Sequence, residues 1–208
     1  MKTLLLFLGN LIPISTLLAI FEIWLEGFKA GPWGQTVFAS PWWEKRIERS
    51  ESAPKSLKEK IKYIFIDGIL RITEKDYFCR YHVVLFGGII PAITMINYVV
   101  LWCMSGNVWS IHGLLLMTIA GTKIFTPLFI VAVWIGNLVL EDFLWFAIQS
   151  LTGWREPHAL RRLLHGDFAW HKKWWTFFGL SVPRFYVTTP MIVAVLLIAQ
   201  WAVALAFR

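Results

Sequence analysis

The sequence predicts an all-α polytopic membrane protein, a bundle of transmembrane helices with amphipathic helices at the membrane surface. The first reason is composition: 57% of the 208 residues are hydrophobic and only 16% are charged. The mean hydropathy of +0.59 is too high for a small soluble domain. The second reason is the content of 13 Trp and 16 Phe residues, because aromatic rings favour the two membrane–water interfaces.

The formal net charge of +7 points to membrane lipids as partners. The basic residues concentrate in two stretches beside apolar segments, where cationic side chains meet lipid phosphates. We therefore expect no nucleic-acid partner. The only two cysteines, Cys79 and Cys103, lie far apart in this pattern and predict free thiols.

The first apolar segment, about residues 4–25, predicts a membrane span. It follows the short basic start Met1-Lys2, so a cleaved signal peptide is the alternative. The apolar stretch is longer than the core of a typical signal peptide, and it contains Asn10 and Pro13. These features favour a retained helix.

Residues 26–82 predict a region at the membrane surface. It mixes eleven Lys and Arg residues with eight acids, and its Trp-rich opening is typical of turns anchored among lipid headgroups. Residues 56–72 place apolar side chains at three- and four-residue spacing against lysines, which predicts an interfacial amphipathic helix. Its apolar residues are Leu57, Ile61, Ile64, Phe65, Ile69 and Ile72.

Four further apolar segments complete a prediction of five spans. Residues 83–104 contain Gly87-Gly88 and Pro91, which predict close packing or a kink. The long apolar stretch that follows a turn at 105–107 is divided into spans at 108–123 and 127–151. Residues 152–186 predict a second surface region, and 187–207 a final span.

The span count conflicts with the distribution of basic residues. Five spans place regions 26–82 and 152–186 on opposite sides of the membrane, although basic loops favour the cytoplasm. If residues 108–123 form a re-entrant or broken helix, four spans remain and both basic regions share a side. Because long loops follow the rule weakly, we predict five spans, with four as the alternative.

Acidic residues inside the apolar segments are the first candidates for a functional site, because each costs roughly 2.5–3.5 kcal/mol at a helix centre unless it is paired or solvated. Glu22 and Glu26 are four residues apart and share a face of the first helix. The alternative is that both carboxylates reach the membrane surface beside Lys29.

The second candidate is the acidic pair Glu141-Asp142, well inside the segment 127–151. Glu141 shares a helix face with Asn137, whereas Asp142 points about 100° away. The two acids cannot face lipid at the same time, which predicts a functional role for this pair. In a purely structural role, one carboxyl would bond to a neighbouring helix, with Thr94 or Asn97 as partners.

The third candidate is the loop that contains His158, His165, Asp167 and His171. Imidazole and carboxylate groups are suitable ligands for zinc or iron, although this spacing matches no established ligand motif. The alternative is a basic, aromatic surface segment that binds lipid headgroup phosphates. Its cationic residues would be Arg161, Arg162, Lys172 and Lys173.

Two motifs carry resemblances. The sequences Glu141-Asp142-Phe143-x-Trp145-Phe146 and Trp170-His171-x-x-Trp174 are similar to those of a group of uncharacterised prokaryotic polytopic membrane proteins. The acids and phenylalanines also resemble the paired-acid helix of heterodimeric-type lycopene cyclases, where Val139 replaces the proline of that family. The second resemblance implies proton chemistry on an isoprenoid.

Two classes of function follow from these residues. The first is a membrane enzyme, in the cytoplasmic membrane if prokaryotic, that modifies a lipid or isoprenoid with Glu141, Asp142 and Glu22 as catalytic groups. In a metal-assisted version, the ligands of zinc or iron come from Glu22, Glu26, Glu141, Asp142, His165 and His171. The second class is a transporter, channel or structural subunit, as a homo-oligomer or within a complex, whose buried acids bind a cation or a partner helix.

Overall fold

The computed structural model describes residues 2–30, 46–48, 56–73, 77–104, 106, 113, 115–119, 122–154, 156–167 and 173–207. Most of these residues are helical, and none of them belongs to a closed sheet. Four helical segments among them are long and apolar enough to cross a bilayer: Lys2–Trp24, His82–Met104, Thr126–Thr152 and Phe185–Ala206. The helical class is confirmed, and these segments support an integral membrane protein.

The helices are α1 (Lys2–Ala30), α2 (Leu57–Thr73), α3 (Arg80–Val84), α4 (Ile90–Met104), α5 (Thr126–Thr152), α6 (Ala159–Leu164) and α7 (Phe185–Ala206). A π-helical turn at Leu85–Ile89 joins α3 to α4, and His82–Met104 is called the second span below. The described strands form two-stranded antiparallel sheets. The strand β1 (Arg46–Glu48) pairs with the distant β2 (Tyr77–Cys79), and two hairpins are formed by β3 (Leu116–Ile119) with β4 (Thr122–Phe125) and by β5 (Trp174–Phe177) with β6 (Leu180–Pro183).

A span at residues 108–123 is not confirmed, because the described part of this segment contains the β3–β4 hairpin. A helix of about 16 residues would rise only about 24 Å, less than the ~30 Å thickness of the hydrocarbon core. The β-branched residues Thr118, Ile119, Thr122 and Ile124 favour strands. The buried side chains of Met117 and Ile124 pack into the core cluster of the bundle.

Contacts between the helices fix their relative directions. Phe7 of α1 contacts Phe129 of α5, with ring centroids 6.4 Å apart, and Ser15 donates a 2.6 Å hydrogen bond to Asn137. The residue nearer the start of α1 contacts the residue nearer the start of α5, so the two helices are parallel. The second span runs against α5, because Trp134 bonds to Phe86 and Thr126 to Tyr98.

Helix α7 is also antiparallel to α5. Tyr186 bonds to Asp142, and Gln200 bonds to the Lys123 carbonyl just before α5 begins. The four helices therefore alternate in direction, which four crossings require and five would not. Helices α1 and α5 end, and the second span and α7 begin, at one end of the bundle, which is called the loop end. The β3–β4 hairpin lies at the opposite end, which is called the hairpin end. In the sequence, the regions 26–82 and 152–186 that connect these helices hold 17 of the 20 Lys and Arg residues.

Helices α1 and α5 approach closely at Gly136. A Cβ atom on this glycine would lie 2.9 Å from the Leu11 Cδ1 atom and 3.3 Å from the Phe7 ring. Small residues allow such close contacts between membrane helices, where dispersion and hydrogen bonds replace the hydrophobic effect as the driving force. The buried Ser15–Asn137 hydrogen bond lies next to this contact.

A helix is observed at Leu57–Thr73, where an interfacial helix was predicted, although its buried residues differ from the predicted apolar face; its location at the membrane surface stays a prediction. It begins with a reciprocal capping box in which Ser56 and Glu59 exchange hydrogen bonds of 3.2 Å. Ile66, Ile69 and Leu70 pack into a core cluster with residues of α1, the second span and α5. The apolar residues Leu57, Ile61 and Ile64 are instead exposed on the surface.

Replacing Gly136 by leucine should separate α1 from α5, because the new side chain must displace Leu11 and Phe7. We expect a loss of about 1–3 kcal/mol in the free energy of unfolding, measured by denaturant titration in detergent. Gly9→Leu is the control, because no atom lies within 4 Å of a Cβ built on Gly9. Equal stability of the two variants would contradict this close contact.

Candidate functional site

Two pairs of ionisable side chains lie towards the loop end, and the first pair contains Glu22 of α1. Glu22 is only 7% exposed, and its Oε1 atom lies 3.6 Å from Nε2 of His82 at the start of the second span. A carboxylate that reached the membrane surface would be exposed, so the burial of Glu22 favours the site interpretation. The side chain of Glu26 lies outside the described residues.

Glu141 lies on the buried face of α5, as its spacing from Asn137 predicts. Its side chain is 1% exposed and Asn137 is fully buried. The Asn137 amide accepts from Ser15 and donates to the Val133 carbonyl at 2.8 Å, which fixes this face of α5 against α1. Glu141 follows one helical turn later, towards the loop end.

Asp142 pairs with Tyr186 of α7. The Tyr186 hydroxyl donates a 2.6 Å hydrogen bond to Asp142 Oδ2, and Glu141 also interacts electrostatically with this phenol. Phe143 meets the Tyr186 ring edge-to-face, with centroids 6.0 Å apart. Asp142 therefore contacts α7, while Glu141 faces the bundle interior.

The partners expected for the acids in a purely structural role are not the ones observed. Asn97 donates to Asn10 of α1, nearer the hairpin end. Thr94 is buried, and its hydroxyl makes no hydrogen bond with the described residues. Tyr186 and His82, which sequence reasoning did not select, are the side chains that meet Asp142 and Glu22.

A π-helical turn lies beside His82. The Ile90 N–H donates to the Leu85 carbonyl, the i→i+5 bond of a π turn. The next donor in this register would be residue 91, which is proline and has no N–H. The indole N–H of Trp134 bonds to the Phe86 carbonyl at 2.9 Å instead. The His82 ring stacks on Phe86 with centroids 5.8 Å apart.

Helix α6 and the β5–β6 hairpin, called the surface cover, pack beside Phe146 and Tyr186 at the loop end. Ala159 and Leu163 of α6 are buried against Phe146, one helical turn after Asp142, and Trp174 and Tyr186 pack around them. The predicted headgroup-binding residues lie on this cover: Arg161 and Lys173 are exposed, and Arg162 pairs with Glu156 at 3.0 Å. Lys172 lies outside the described residues.

The predicted metal ligands do not form a group in the part of the chain that the structure describes. No three His, Cys, Asp or Glu side chains there are arranged to hold a metal ion. His165 is exposed at the end of α6, where its Nδ1 lies 2.8 Å from the Arg161 carbonyl oxygen. His171 and the side chain of Glu26 are not among the described residues, so the full ligand set stays a prediction.

Comparison with protein-family models, with curated proteins and with solved structures finds no match to this chain. The two resemblances therefore stay predictions.

Trp134→Phe should leave the Phe86 carbonyl without its donor. We expect a loss of about 1–3 kcal/mol in unfolding free energy, measured by denaturant titration. In a Pro91→Ala background the new N–H can bond to the same carbonyl, so the loss should be smaller. Trp201→Phe, at an exposed position of α7, is the control. An equal loss with and without Pro91 would contradict the role given to Trp134.

Proposed function

We propose that the chain is an integral membrane enzyme that uses the carboxyl groups of Glu141 and Asp142 for acid–base chemistry on a lipid or isoprenoid. The observation that carries the proposal is the Asp142–Tyr186 hydrogen bond of 2.6 Å beside the buried Glu141. Intramembrane acids are costly, and their presence marks function more often than architecture. A carboxyl group hydrogen-bonded to a phenol can move a proton, and Glu141 is the neighbouring buried acid.

The proposed proton transfers use groups that are already aligned. A carboxyl group can donate or accept a proton, and the Tyr186 hydroxyl is already hydrogen-bonded to Asp142. Glu22 and His82 form a second acid–base pair across α1 and the second span. Glu22 and Glu141 are buried, which limits their contact with bulk water and would protect a reactive intermediate from hydrolysis.

The proposed substrate is an amphiphile with an anionic head. Both pairs lie towards the loop end, where α7 and the second span begin. Aromatic rings contact each pair: Phe86 stacks on His82, and Phe143 and Phe146 pack with Tyr186. Cations on the surface cover suit a phosphate at the membrane surface, and they are Arg161, Arg162, Lys173 and, by prediction, Lys172. The apolar tail of the substrate would lie among the helices.

We place the loop end in the cytoplasm, with the protein in the cytoplasmic membrane if it is prokaryotic. The support is the excess of Lys and Arg in the two regions that leave from the loop end. The alternating helix directions favour four crossings, with both chain ends on the opposite side. Five crossings would reverse the direction of α5 relative to α1.

The metal-assisted version has weaker support than acid–base chemistry. Glu22 and His82 supply two groups that could bind zinc or iron, but a catalytic zinc site normally uses three protein ligands. The remaining predicted ligands do not join them among the described side chains. We therefore base the proposal on proton transfer.

A non-enzymatic transporter, channel or subunit is the second candidate. Thr94 and Thr189 are buried polar side chains whose hydroxyls make no hydrogen bonds with the described residues, and hydrated polar groups inside a bundle are typical of ion pathways. An open groove of about 460 Å³ between α1 and α4 contains Asn10 and Asn97. A partner helix in a homo-oligomer or complex could bind there.

The test is conversion of lipids by purified protein in nanodiscs of bacterial polar lipid extract supplemented with polyisoprenoid phosphates. Mass spectrometry should reveal a lipid consumed by the wild type. Glu141→Gln and Asp142→Asn should slow that reaction about 100-fold or more, the usual contribution of a general acid or base. Glu59→Gln is the matched control, because it removes an exposed carboxylate at the start of α2, and glutamine can keep the capping hydrogen bond with Ser56.

Two results would contradict the proposed function. The first is a wild-type protein that converts none of these lipids. The second is a conversion that proceeds equally in Glu141→Gln, Asp142→Asn and wild type. Size-exclusion chromatography of each variant separates loss of chemistry from loss of folding.

A further inference from the structure

The tip of the β5–β6 hairpin combines a fully exposed aromatic ring with an unfavourable backbone conformation. The strands pair Trp174 with Pro183 and Phe177 with Leu180, which leaves Phe178-Gly179 as a two-residue turn. Both turn residues have positive φ, 49° for Phe178 and 81° for Gly179. Glycine or asparagine normally occupies such turns, and a bulky residue with φ above zero is uncommon.

The two faces of the hairpin differ in their contacts. On the inner face, Trp174 packs with Ala159 and Leu163 of α6, and Ser181 lies against Gly166. On the outer face, Trp175 and Phe177 meet edge-to-face with centroids 6.0 Å apart. Alternation along the strands places their cross-strand partners Val182 and Leu180 on the same face.

The outer face and the tip are apolar and exposed. Phe177 is 51% exposed, Leu180 is 46% exposed, and Phe178 has full exposure at 106%. Three adjacent large apolar side chains at one hairpin tip would be unfavourable in water. They would be favourable at the boundary between lipid headgroups and acyl chains.

Positive charges lie at the base of the same hairpin. The Arg184 guanidinium lies 5.8 Å from the centre of the Trp175 ring, on the outer face. The Arg184 N–H bonds to the Lys173 carbonyl at 2.8 Å, so the two cations flank the ends of the strands. Arg184 immediately precedes α7, a candidate membrane span. The base of the hairpin is therefore held at the membrane surface by the chain itself.

We propose that the β5–β6 hairpin inserts its tip, Phe177-Phe178-Gly179-Leu180, into the lipid leaflet at the loop end, with Lys173 and Arg184 among anionic headgroups. Each strand of four residues spans about 13 Å, enough to reach the acyl boundary from a base at headgroup level. The inner face of the hairpin would then hold α6 against the bundle. This inference does not depend on the proposed chemistry.

The experiment measures the depth of a nitroxide spin label at Phe178→Cys, in a Cys79→Ser/Cys103→Ser background. The protein is reconstituted in liposomes of phosphatidylcholine and phosphatidylglycerol, and collisions of the label with oxygen and with a water-soluble nickel complex are compared. Met191→Cys, at an exposed position of α7, gives the lipid reference. His158→Cys, exposed beside α6, gives the aqueous reference.

We expect the oxygen-to-nickel ratio at position 178 to resemble that at Met191 and to exceed that at His158. Leu180→Cys, on the outer face, should give the same result, which guards against a local effect of replacing the turn residue. A ratio equal to that at His158 would overturn the proposal. Protection from both reagents would also overturn it, because it would indicate a protein partner or a second copy of the chain.

Phosphatidylglycerol should place the label deeper than pure phosphatidylcholine does, because Lys173 and Arg184 would attract the anionic headgroups. An identical depth in both lipids would overturn the role given to the two cations.

Discussion

The parallel contact between α1 and α5 is the constraint on which the rest of the bundle depends. Ser15 bonds to Asn137 at 2.6 Å, and Gly136 lets the two helices approach beside Leu11. Helices α1 and α5 are parallel and one antiparallel span lies between them in the sequence. The chain between that span and α5 therefore cannot cross the membrane. The β3–β4 hairpin meets this requirement, because its strands satisfy each other's backbone groups at one end of the bundle.

The same constraint places ionisable side chains of three chain segments at one end. Glu22 near the end of α1, His82 at the start of the second span, and Asp142 opposite the first turn of α7 all lie towards the loop end. The π turn and Pro91 beside His82 would leave a carbonyl unsatisfied in a low-dielectric environment, and Trp134 of α5 supplies the donor. Helix α5 therefore carries two of the acids and also supplies the hydrogen-bond donor for the Phe86 carbonyl beside His82.

Much of the architecture could be predicted from sequence because it depends on local pattern. Long apolar segments define four of the helices, and three- and four-residue spacing defines α2. The spacing of Asn137 and Glu141 correctly predicts a shared buried face. The segment 108–123 could not be assigned this way, because a short apolar stretch is consistent with either a helix or strands until its partner is known. The rule for basic loops favours the four-span alternative, which agrees with the four candidate spans among the described residues.

The partners in the site could not be predicted, because they depend on helix direction. His82 is a single histidine at the start of an apolar segment, and only antiparallel packing brings it level with Glu22, 60 residues earlier in the sequence. Tyr186 is separated from Asp142 by 44 residues, and a hydroxyl in the first turn of a span carries no signal of its own. Once four alternating helices are assumed, the position of such a residue along its helix predicts which residues of the neighbouring helices it meets.

The most direct test of the four-helix arrangement is the sidedness of Lys60 and His158, exposed residues of the two basic regions. Each is replaced by cysteine in a Cys79→Ser/Cys103→Ser background, and oriented membrane vesicles are treated with a membrane-impermeant maleimide. The parallel α1–α5 pair predicts that both positions react from one face and that Phe207→Cys reacts from the other. Labelling of Lys60→Cys and His158→Cys from opposite faces would contradict four crossings, and with them the shared loop end.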